Sequence, residues 1–444
     1  MPNEISRRNF VGDVATAGMA FTIVPRHVLG GPRHRAPSDT LNMACIGVGG
    51  RGRSDLRGVS SENIYALCDV DSRNLDSASG SYPLAKRYVD FREMLERDGD
   101  SIDAVTVATP DHTHAVAAMM AMKMGKHVYC EKPLARTLYE VKQLAHGAQQ
   151  YGVATQMGNQ GHADEGTRRI REWVEAGAIG TVREIQYWTN RPIWPQAIDR
   201  PLETYHVPTY LDWDLWLGPA PMRPYHPAYA PFRWRGWWDY GTGALGDIAC
   251  HSMDAAYWAL DLKYPTRIEA ESTTLFEETA PAAARIVYDF PARGNRPAIK
   301  VVWRDGNFSP SRPEEVSDDA PWPIESSGQM WVGDDGKLFA GIYGENPRLL
   351  DAARDKELKA NPPAEKYART EGVYAEFIAA CKGGQPADSN FTDHSGPLTE
   401  MVLLGNLAVR TGRTLDVDPE NGRVKNATIP EEYIRPTYRE GWSL

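Results

Sequence analysis

A glycine-rich hexapeptide near the start of the chain constrains the fold more than any other feature. Residues 47–52 read Gly-Val-Gly-Gly-Arg-Gly, the spacing GxGxxG, and they follow a short apolar run at 41–46. In that context the glycines permit a tight turn from a strand into a helix, whose N-terminal N–H groups can meet a pyrophosphate. The pattern predicts a dinucleotide-binding turn formed by Gly47, Gly49, Gly50, Arg51 and Gly52.

The next apolar run, 64–68, ends in an acidic residue that bears on the choice of dinucleotide. Asp69 stands at the distance where a carboxylate usually accepts hydrogen bonds from the adenosine ribose, and Asp71 follows it. Two carboxylates would repel a 2′-phosphate, so we expect NAD. NADP is the less favoured alternative, because Arg73 is close enough in sequence to offset that repulsion.

Two further strand ends carry polar motifs. An apolar strand is predicted at 104–108 and another at 127–130, and ligands gather at the carboxyl ends of strands in open α/β sheets. A lysine at such an end is a candidate proton-handling or substrate-orienting group, although taken alone a solvated surface lysine is the better interpretation of Lys132. The candidate cofactor-binding residues here are Thr109, Pro110, His112, His114, Glu131 and Lys132.

Length and composition set the wider frame. A chain of 444 residues predicts two domains, and a net charge of -10 argues against nucleic-acid binding. No internal run is long and apolar enough to span a bilayer. The five cysteines form no CxxC pair, so we expect them to pack as small apolar residues.

The first 38 residues resemble an export signal. Paired arginines at 7 and 8, an aromatic residue at 10 and a mildly apolar run at 14–24 are typical of the twin-arginine type. Asp13 departs from that pattern, and a disordered basic tail is the alternative. We expect a periplasmic or otherwise exported protein, with the mature fold beginning near residue 39.

A second glycine-rich segment, 241–246, leads into a predicted helix that carries two chemically active side chains. Asp247 and His251 are four residues apart, so they fall on one helical face and could present a base beside its orienting carboxylate. A capping aspartate followed by a core histidine is the alternative interpretation.

These motifs, in this order, resemble those of the family of glucose-fructose oxidoreductase, inositol 2-dehydrogenase and rhizopine-catabolism proteins. Further matching segments lie at 156–160 and 396–400. The resemblance implies an NAD(P)-binding Rossmann domain, placed at 39–160, and a C-terminal α+β domain with a large, mostly antiparallel open sheet, placed at 161–444. It implies that Lys132, Asp247 and His251 are catalytic, that Asn159 contacts the cofactor, and that the protein is a homo-oligomer.

The segment between the two halves is rich in tryptophan, which favours a carbohydrate site, because aromatic faces pack against the C–H faces of sugar rings. We assign Trp213 and Trp216 to packing. The candidate substrate-binding residues are those just before the second glycine segment: Arg235, Trp237, Trp238 and Tyr240.

Alternating patterns in the second half predict strands at 267–270, 284–288, 298–303 and 329–333, and amphipathic helices at 370–381 and 398–410. The predicted function is hydride transfer between NAD(H) and a hydroxyl carbon of a sugar, glycoside or polyol, with a tightly bound, recycled cofactor. The alternatives are an NAD-dependent glycoside hydrolase acting by transient oxidation, and an inactive sugar-binding or sensory protein. No metal ion is expected, since His206, His226 and His251 fit no ligand spacing.

Overall fold

The first sheet is a parallel, six-stranded one that places the glycine-rich turn at its centre. The computed structural model describes residues 39–444, so the predicted export signal lies outside the described residues. The strands are β1 (Asn42–Ile46), β2 (Asn63–Cys68), β3 (Lys86–Tyr88), β4 (Ala104–Val107), β5 (His127–Cys130) and β6 (Thr155–Met157). Their order is β3-β2-β1-β4-β5-β6, with every pairing parallel. The order reverses between β1 and β4, where a crevice for a ligand opens at the carboxyl ends.

Helices connect these strands and begin the second half of the chain. They are α1 (Gly52–Gly58), α2 (Ser72–Ser81), α3 (Phe91–Asp98), α4 (Asp111–Lys123), α5 (Leu138–Tyr151) and α6 (Glu165–Glu175). Helix α4 begins directly after Pro110, which serves as its N-cap, so residues 111–114 form its first turn. The histidines of the Thr-Pro-Asp-His-Thr-His motif are therefore helical, which decides where their rings point.

The second sheet is mixed and mostly antiparallel. Its strands are β7 (Val182–Trp188), β8 (Arg267–Ser272), β9 (Ala284–Phe290), β10 (Ile299–Arg304), β11 (Gly328–Gly333), β12 (Gly336–Gly341), β13 (Arg348–Leu349) and β14 (Leu415–Asp416), in the order β13-β12-β11-β7-β10-β9-β8-β14. Only β7 and β10 pair in parallel. The predicted fold class, a Rossmann sheet followed by a large open antiparallel sheet, is confirmed.

The remaining helices pack on the second sheet or carry the site. They are α7 (Trp213–Leu217), α8 (Gly243–Ser252), α9 (Asp254–Ala259), α10 (Ala352–Ala360), α11 (Val373–Cys381), α12 (Gly396–Thr411) and α13 (Glu431–Ile434). Helices α8 and α12 touch closely: a Cβ added to Gly405 would lie 2.9 Å from the Leu245 side chain and 1.9 Å from the Tyr288 hydroxyl. Helix α8 is thus held from behind by packing that leaves little freedom.

The sequence predicts that the cysteines pack as small apolar residues and that no internal run spans a bilayer. All five cysteines are free, and Cys250 is fully buried with its pKa raised to about 12 by burial, as a packing residue would be. Within residues 39–444, every helix is too short or too polar to cross a bilayer.

Candidate active site

One large cavity of about 1020 Å³ runs along the carboxyl ends of β1, β2, β4 and β5 and reaches residues of α8. It brings together most of the residues that the sequence singles out. Those that line it are Gly47, Gly49, Gly50, Arg51, Asp69, Thr109, Pro110, His114, Glu131, Lys132, Arg235, Asp247 and His251. Six other predicted site residues, treated below, are absent from the lining.

The glycine turn has the space that a dinucleotide needs. Gly50 lies at φ 47°, and a Cβ added there would meet nothing within 4 Å, so the turn presents open backbone to the cavity. Gly52 differs, since its Cβ would lie 1.9 Å from the Gly47 carbonyl oxygen. Gly52 is buried and does not line the cavity, so its role is close packing of turn and helix rather than cofactor contact.

Asp69 holds the turn from the neighbouring strand. Its Oδ2 accepts hydrogen bonds from the backbone N–H groups of Val48 (2.9 Å) and Gly49 (3.2 Å), and its Oδ1 accepts one from Asp71 (2.8 Å). Burial raises the pKa of the Asp69 carboxyl, although these hydrogen bonds oppose the rise. Asp69 therefore shapes the phosphate-binding turn as well as facing the cavity.

Arg73, the residue that could favour NADP, is already engaged. Its Nε and one terminal nitrogen donate to the two carboxylate oxygens of Asp71 at 3.0 and 2.7 Å. The guanidinium carbon also lies 3.4 Å from the centre of the Tyr210 ring. A 2′-phosphate would have to compete with both contacts.

The two histidines of the first turn of α4 have different surroundings, because residues two apart on a helix face in nearly opposite directions. His114 lines the cavity, with Nε2 2.8 Å from the Thr109 carbonyl oxygen and Nδ1 2.9 Å from that of Pro133. His112, predicted to bind the cofactor, does not line the cavity. Its buried ring lies between the carbonyl oxygens of Trp216 and Tyr240, away from the cavity, and burial lowers its pKa to about 3.

The centre of the site is an ion pair between the two halves of the chain. Lys132, after β5, donates from Nζ to Asp247 at the backbone oxygen (2.7 Å) and at Oδ1 (3.0 Å), and Arg235 Nε donates to the same Oδ1 at 3.1 Å. Burial alone would raise the pKa of Asp247, but the two cations lower it to about 2. Burial would lower the pKa of Lys132, but the charges of Asp247 and Glu131 produce a net rise.

His251 completes this centre as a neutral imidazole. Its ring lines the cavity and meets the edge of the Tyr343 ring at 4.7 Å between centroids. Burial lowers its pKa well below the ordinary value, and the Lys132 charge lowers it further. Within the described residues its buried Nδ1 has no hydrogen-bond partner, and Asp247 Oδ1 accepts from Lys132 and Arg235 rather than from the imidazole.

An ion cluster joins the exposed Arg51 of the turn to the buried carboxylates of Asp55 and Glu131, and it was not predicted. Arg51 Nε donates to Glu131 Oε1 at 3.0 Å and lies 3.1 Å from Asp55 Oδ1, and the Tyr374 hydroxyl donates to that Asp55 oxygen at 2.7 Å. Burial, with Glu131 nearby, raises the pKa of Asp55 well above its ordinary value. The sequence gives no signal for a contact spanning 319 residues between Asp55 and Tyr374.

Asp111 lines the cavity but was not predicted from the sequence as a site residue. It is 4% exposed, lines the cavity and accepts a hydrogen bond from the Thr242 hydroxyl at 2.8 Å. Burial raises the pKa of its carboxyl. Its position inside the Thr-Pro-Asp-His motif was the available signal, but its contact with Thr242 depends on α4 beginning at residue 111.

Of the four predicted substrate-binding residues, three do not line the cavity: Trp237, Trp238 and Tyr240. Trp237 and Tyr240 are fully buried in an aromatic cluster, and Trp237 Nε1 donates to the Ala228 carbonyl at 2.9 Å. Trp238 lies under the Arg410 guanidinium beside a separate small cavity. The chain turns sharply at 233–241, so these rings face the core and only Arg235 faces the active-site cavity.

Other aromatic residues form the wall instead. Trp194, Phe232 and Trp234 line the cavity. Trp216, which we assigned to packing, stacks on Trp213 with 4.7 Å between ring centroids and also contributes to the lining. Trp213 itself is absent from the lining and donates from Nε1 to the Arg223 carbonyl at 2.8 Å.

Asn159, predicted to contact the cofactor, does not line the cavity either. Its side chain is fully buried, donating to Asp254 Oδ1 at 2.8 Å and accepting from the Ser389 hydroxyl at 2.7 Å. Asn159 thus belongs to a polar cluster behind the cavity rather than to its lining.

That cluster joins three distant segments through one carboxylate. His162 Nδ1 lies 2.9 Å from Asp254 Oδ2, and His394 Nε2 lies 2.6 Å from Oδ1. The ligating atoms of these three buried residues lie within 4.8 Å of one another, as metal ligands could. The separations are those of N–H···O hydrogen bonds, however, so we describe the group as a hydrogen-bonded clamp, hereafter the Asp254 clamp.

Comparison with known families agrees with this geometry. Residues 41–159 match the model of an oxidoreductase family described as having an NAD-binding Rossmann fold, and residues 168–301 match that family's C-terminal alpha/beta domain. The chain belongs to this oxidoreductase family. The predicted resemblance to the glucose-fructose oxidoreductase, inositol dehydrogenase and rhizopine-catabolism family is confirmed.

Individual relatives match only part of the chain. Myo-inositol 2-dehydrogenase of Thermotoga maritima is 29% identical over 156 residues, 34% of this chain and 46% of that protein. Levoglucosan dehydrogenase of Pseudarthrobacter phenanthrenivorans is 30% identical over 169 residues, 38% of this chain and 35% of that protein. The chain thus spans less than half the length of these curated relatives.

A solved structure covers more of the fold. The WlbA dehydrogenase of Bordetella pertussis, in complex with NADH and UDP-GlcNAcA, superposes with a TM-score of 0.58 over 85% of this chain and 99% of that one, at 16% sequence identity. At that identity the likeness concerns the fold alone.

Proposed function

We propose that this protein is an NAD(H)-dependent oxidoreductase acting on a hydroxyl carbon of a sugar, glycoside or polyol. The observation that carries the proposal is the meeting of Lys132 and Asp247 at 3.0 Å, beside the neutral His251, in the cavity that the glycine turn also lines. Family membership and the sugar and polyol dehydrogenases among the relatives support it.

The chain supplies the proton chemistry of the oxidation. A dinucleotide held at the glycine turn and Asp69 would supply the hydride acceptor for the hydroxyl-bearing carbon. His251 takes the hydroxyl proton, so that a C–H and an O–H bond break while the carbonyl forms. The lowered pKa of His251 keeps it unprotonated at neutral pH and ready for that role.

Lys132 acts on the substrate oxygen. Its ammonium group is fixed by two hydrogen bonds to Asp247, so it can stabilise negative charge developing on that oxygen without first reorganising. Asp247 holds the ammonium and Arg235 in place and can hydrogen-bond a sugar hydroxyl with its remaining oxygen.

We favour NAD over NADP. Asp69 and Asp71 both line the adenosine end of the cavity, and Arg73 is occupied by Asp71 and Tyr210. A 2′-phosphate there would face two carboxylates, and the nearby Arg73 is already paired.

We also propose that the dinucleotide stays bound and is recycled on the enzyme, where a second substrate that accepts the hydride reoxidises it. A segment of the second half, residues 208–212, lies along the end of β2: Asp212 N donates to the Val70 carbonyl at 2.9 Å, and Ser72 N donates to the Tyr210 carbonyl at 2.8 Å. Leu211 of this segment, hereafter the strap, lines the cavity. A cofactor enclosed in this way can leave only when those hydrogen bonds break.

A second segment closes the other side of the same end. Trp442 lines the cavity, packs 5.9 Å from Phe91 between ring centroids and lies under the Arg92 guanidinium. Arg439 ties this segment to α7, because it donates to the carbonyls of Asp214 (2.8 Å) and Gly218 (3.0 Å).

Two further proposals rest on sequence and family alone. We propose export by the twin-arginine route, from the Arg7-Arg8 motif, and cell fractionation of the full chain with both arginines changed to lysine checks it. We propose a homo-oligomer as in related proteins, which light scattering on the purified protein checks.

The function is tested by adding sugars and polyols to the protein with its bound dinucleotide and recording absorbance of the reduced nicotinamide. We expect Lys132→Met to keep the bound dinucleotide but to lose about 100-fold or more in turnover, because the fixed cation is gone. Lys142→Met is the matched control, since Lys142 pairs with Glu400 outside the cavity.

Unchanged turnover in Lys132→Met would contradict the assignment of this lysine. Release of an aglycone without net reduction of the dinucleotide would instead favour the redox-neutral glycoside hydrolase.

A further inference from the structure

We infer that the outer part of the active-site cavity is a subsite for an apolar aglycone, so that the substrate is a glycoside bearing an alkyl or aryl group rather than a free sugar or polyol. The inference rests on the proposed function, because it concerns the same cavity. Three side chains carry it: Ile193, Trp194 and Phe232, hereafter the apolar wall.

Two members of the apolar wall are exposed to solvent. Ile193 is 61% exposed and Phe232 is 47% exposed, and both line the cavity. Trp194 is buried beneath them, with its ring centroid 6.4 Å from that of Phe232. Exposure of apolar side chains to water at the mouth of a cavity is unfavourable. An apolar ligand bound there would cover these side chains.

The apolar wall begins next to the reacting centre. Arg235 bridges the two, since its Nε donates to Asp247 Oδ1 at 3.1 Å while its guanidinium carbon lies 4.8 Å from the Phe232 ring centre and 5.7 Å from that of Trp194. The Arg235 guanidinium group therefore separates a ligand held over Lys132 and His251 from the rings of the apolar wall. A substituent on the sugar, and not the sugar itself, is placed to cover it.

Several polar residues of the cavity lining lie on segments other than those that carry the apolar wall. Asp164 and Glu345 line the cavity together with Tyr343, which contacts His251. Carboxylates accept hydrogen bonds from sugar hydroxyls, and an isoleucine side chain has no flat face on which a sugar ring could stack. The division of the lining fits a ligand with one hydroxylated part and one apolar part.

The test compares pairs of glycosides that differ only in the aglycone. Protein with its bound dinucleotide is given the methyl and hexyl β-glycosides of glucose, galactose, mannose and N-acetylglucosamine, and kcat/KM is measured from reduction of the dinucleotide. For each sugar oxidised, we expect the hexyl form to exceed the methyl form at least tenfold. Ile193→Ser and Phe232→Ser should each lower that ratio about threefold or more.

Leu202→Ser is the matched control. Leu202 is 93% exposed, lies in the same region of the chain and is not part of the cavity lining, so the hexyl to methyl ratio should stay at the parental value. A parental ratio near 1, or a high ratio that Ile193→Ser and Phe232→Ser leave intact, overturns the subsite while the proposed function stands.

Failure of the proposed function gives a different result, because no glycoside or free sugar would then reduce the bound dinucleotide. In that case calorimetric Kd values for the hexyl and methyl glycosides decide the subsite independently. Tighter hexyl binding that weakens in Phe232→Ser supports it, and equal Kd values overturn it.

Discussion

Asp247 is a carboxylate shared by two cations, and this sharing sets the charge of the site. Lys132 and Arg235 contribute two positive charges and Asp247 one negative charge, so these three side chains together carry one net positive charge, and the Glu131 carboxylate lies close enough to Lys132 to help raise its pKa. Because all three side chains are largely buried, that charge acts through little water. A substrate oxygen that becomes negative during oxidation is stabilised there, whereas a cationic substrate would be disfavoured.

His251 makes a prediction about pH. Its pKa is lowered by burial and by Lys132, so it remains neutral as the pH falls through the ordinary histidine value of about 6.5. A base must be neutral to accept a proton, so the acid limb of kcat/KM should lie below pH 6.5. His251→Asn should lose about 100-fold or more in kcat. Stopped-flow reduction of the bound dinucleotide across pH 5 to 9 measures both.

Asp247 contributes no competing limb in that range, since its pKa is about 2. An acid limb centred above pH 7, or a His251→Asn variant with parental kcat, would show that another group is the base.

The residues that could be predicted from sequence stand at strand ends. Lys132 and Asp69 follow apolar strands directly, and topology alone brings such positions to one crevice. Trp237 and Tyr240 could not be assigned, because the direction of a ring in an irregular turn depends on dihedral angles that no periodicity reports. His112 was misplaced for the same reason, since its direction depends on where α4 begins.

At the scale of elements, the strap makes a prediction about cofactor exchange. Tyr210 belongs to it and covers the Arg73 guanidinium at 3.4 Å, beside the main-chain hydrogen bonds to Val70 and Ser72. Tyr210→Ala removes the cation–π contact, worth about 0.5–1 kcal/mol or more, and frees the segment. Dissociation of the bound dinucleotide should become about three to ten times faster, as measured by exchange with labelled NAD.

Tyr65→Ala is the control for that experiment. Tyr65 also lies under a cation, Lys86 at 5.0 Å, but at a distance from the cavity lining. Equal exchange rates in the parent and in Tyr210→Ala would show that the strap does not retain the cofactor.

Elements with strong periodicity or composition were predictable, and short ones were not. The apolar runs of β1, β2, β4 and β5 stand out because a parallel sheet is buried on both faces. Strands β12 and β13 carry no comparable signal, since β12 has glycine at both ends and β13 has two residues. Their place in the sheet comes from strand pairing, of β12 with β11 and of β13 with β12.

For the whole molecule, buried neutral histidines link stability to pH. His112 is 1% exposed and its pKa is about 3 when folded, against about 6.5 when unfolded. The unfolded state therefore binds a proton that the folded state refuses, and the free energy of unfolding falls as the pH drops below 6.5. The contribution is at most about 1.4 kcal/mol per pH unit.

His112→Gln should reduce this acid sensitivity, seen as a smaller decrease in Tm between pH 7 and pH 5 than in the parent, even if its Tm at pH 7 is lower. His206→Gln, at an exposed histidine, serves as the control. A variant whose Tm falls with pH as steeply as the parent's would place the acid sensitivity at other groups.

The Asp254 clamp has a consequence for biosynthesis. Asp254 lies three residues after His251, yet one of its partners, His394, is 140 residues further along the chain. A nascent polypeptide that has emerged from the ribosome as far as residue 300 contains every catalytic group proposed above but lacks this partner. The catalytic centre can therefore reach its final arrangement only after translation has passed residue 394.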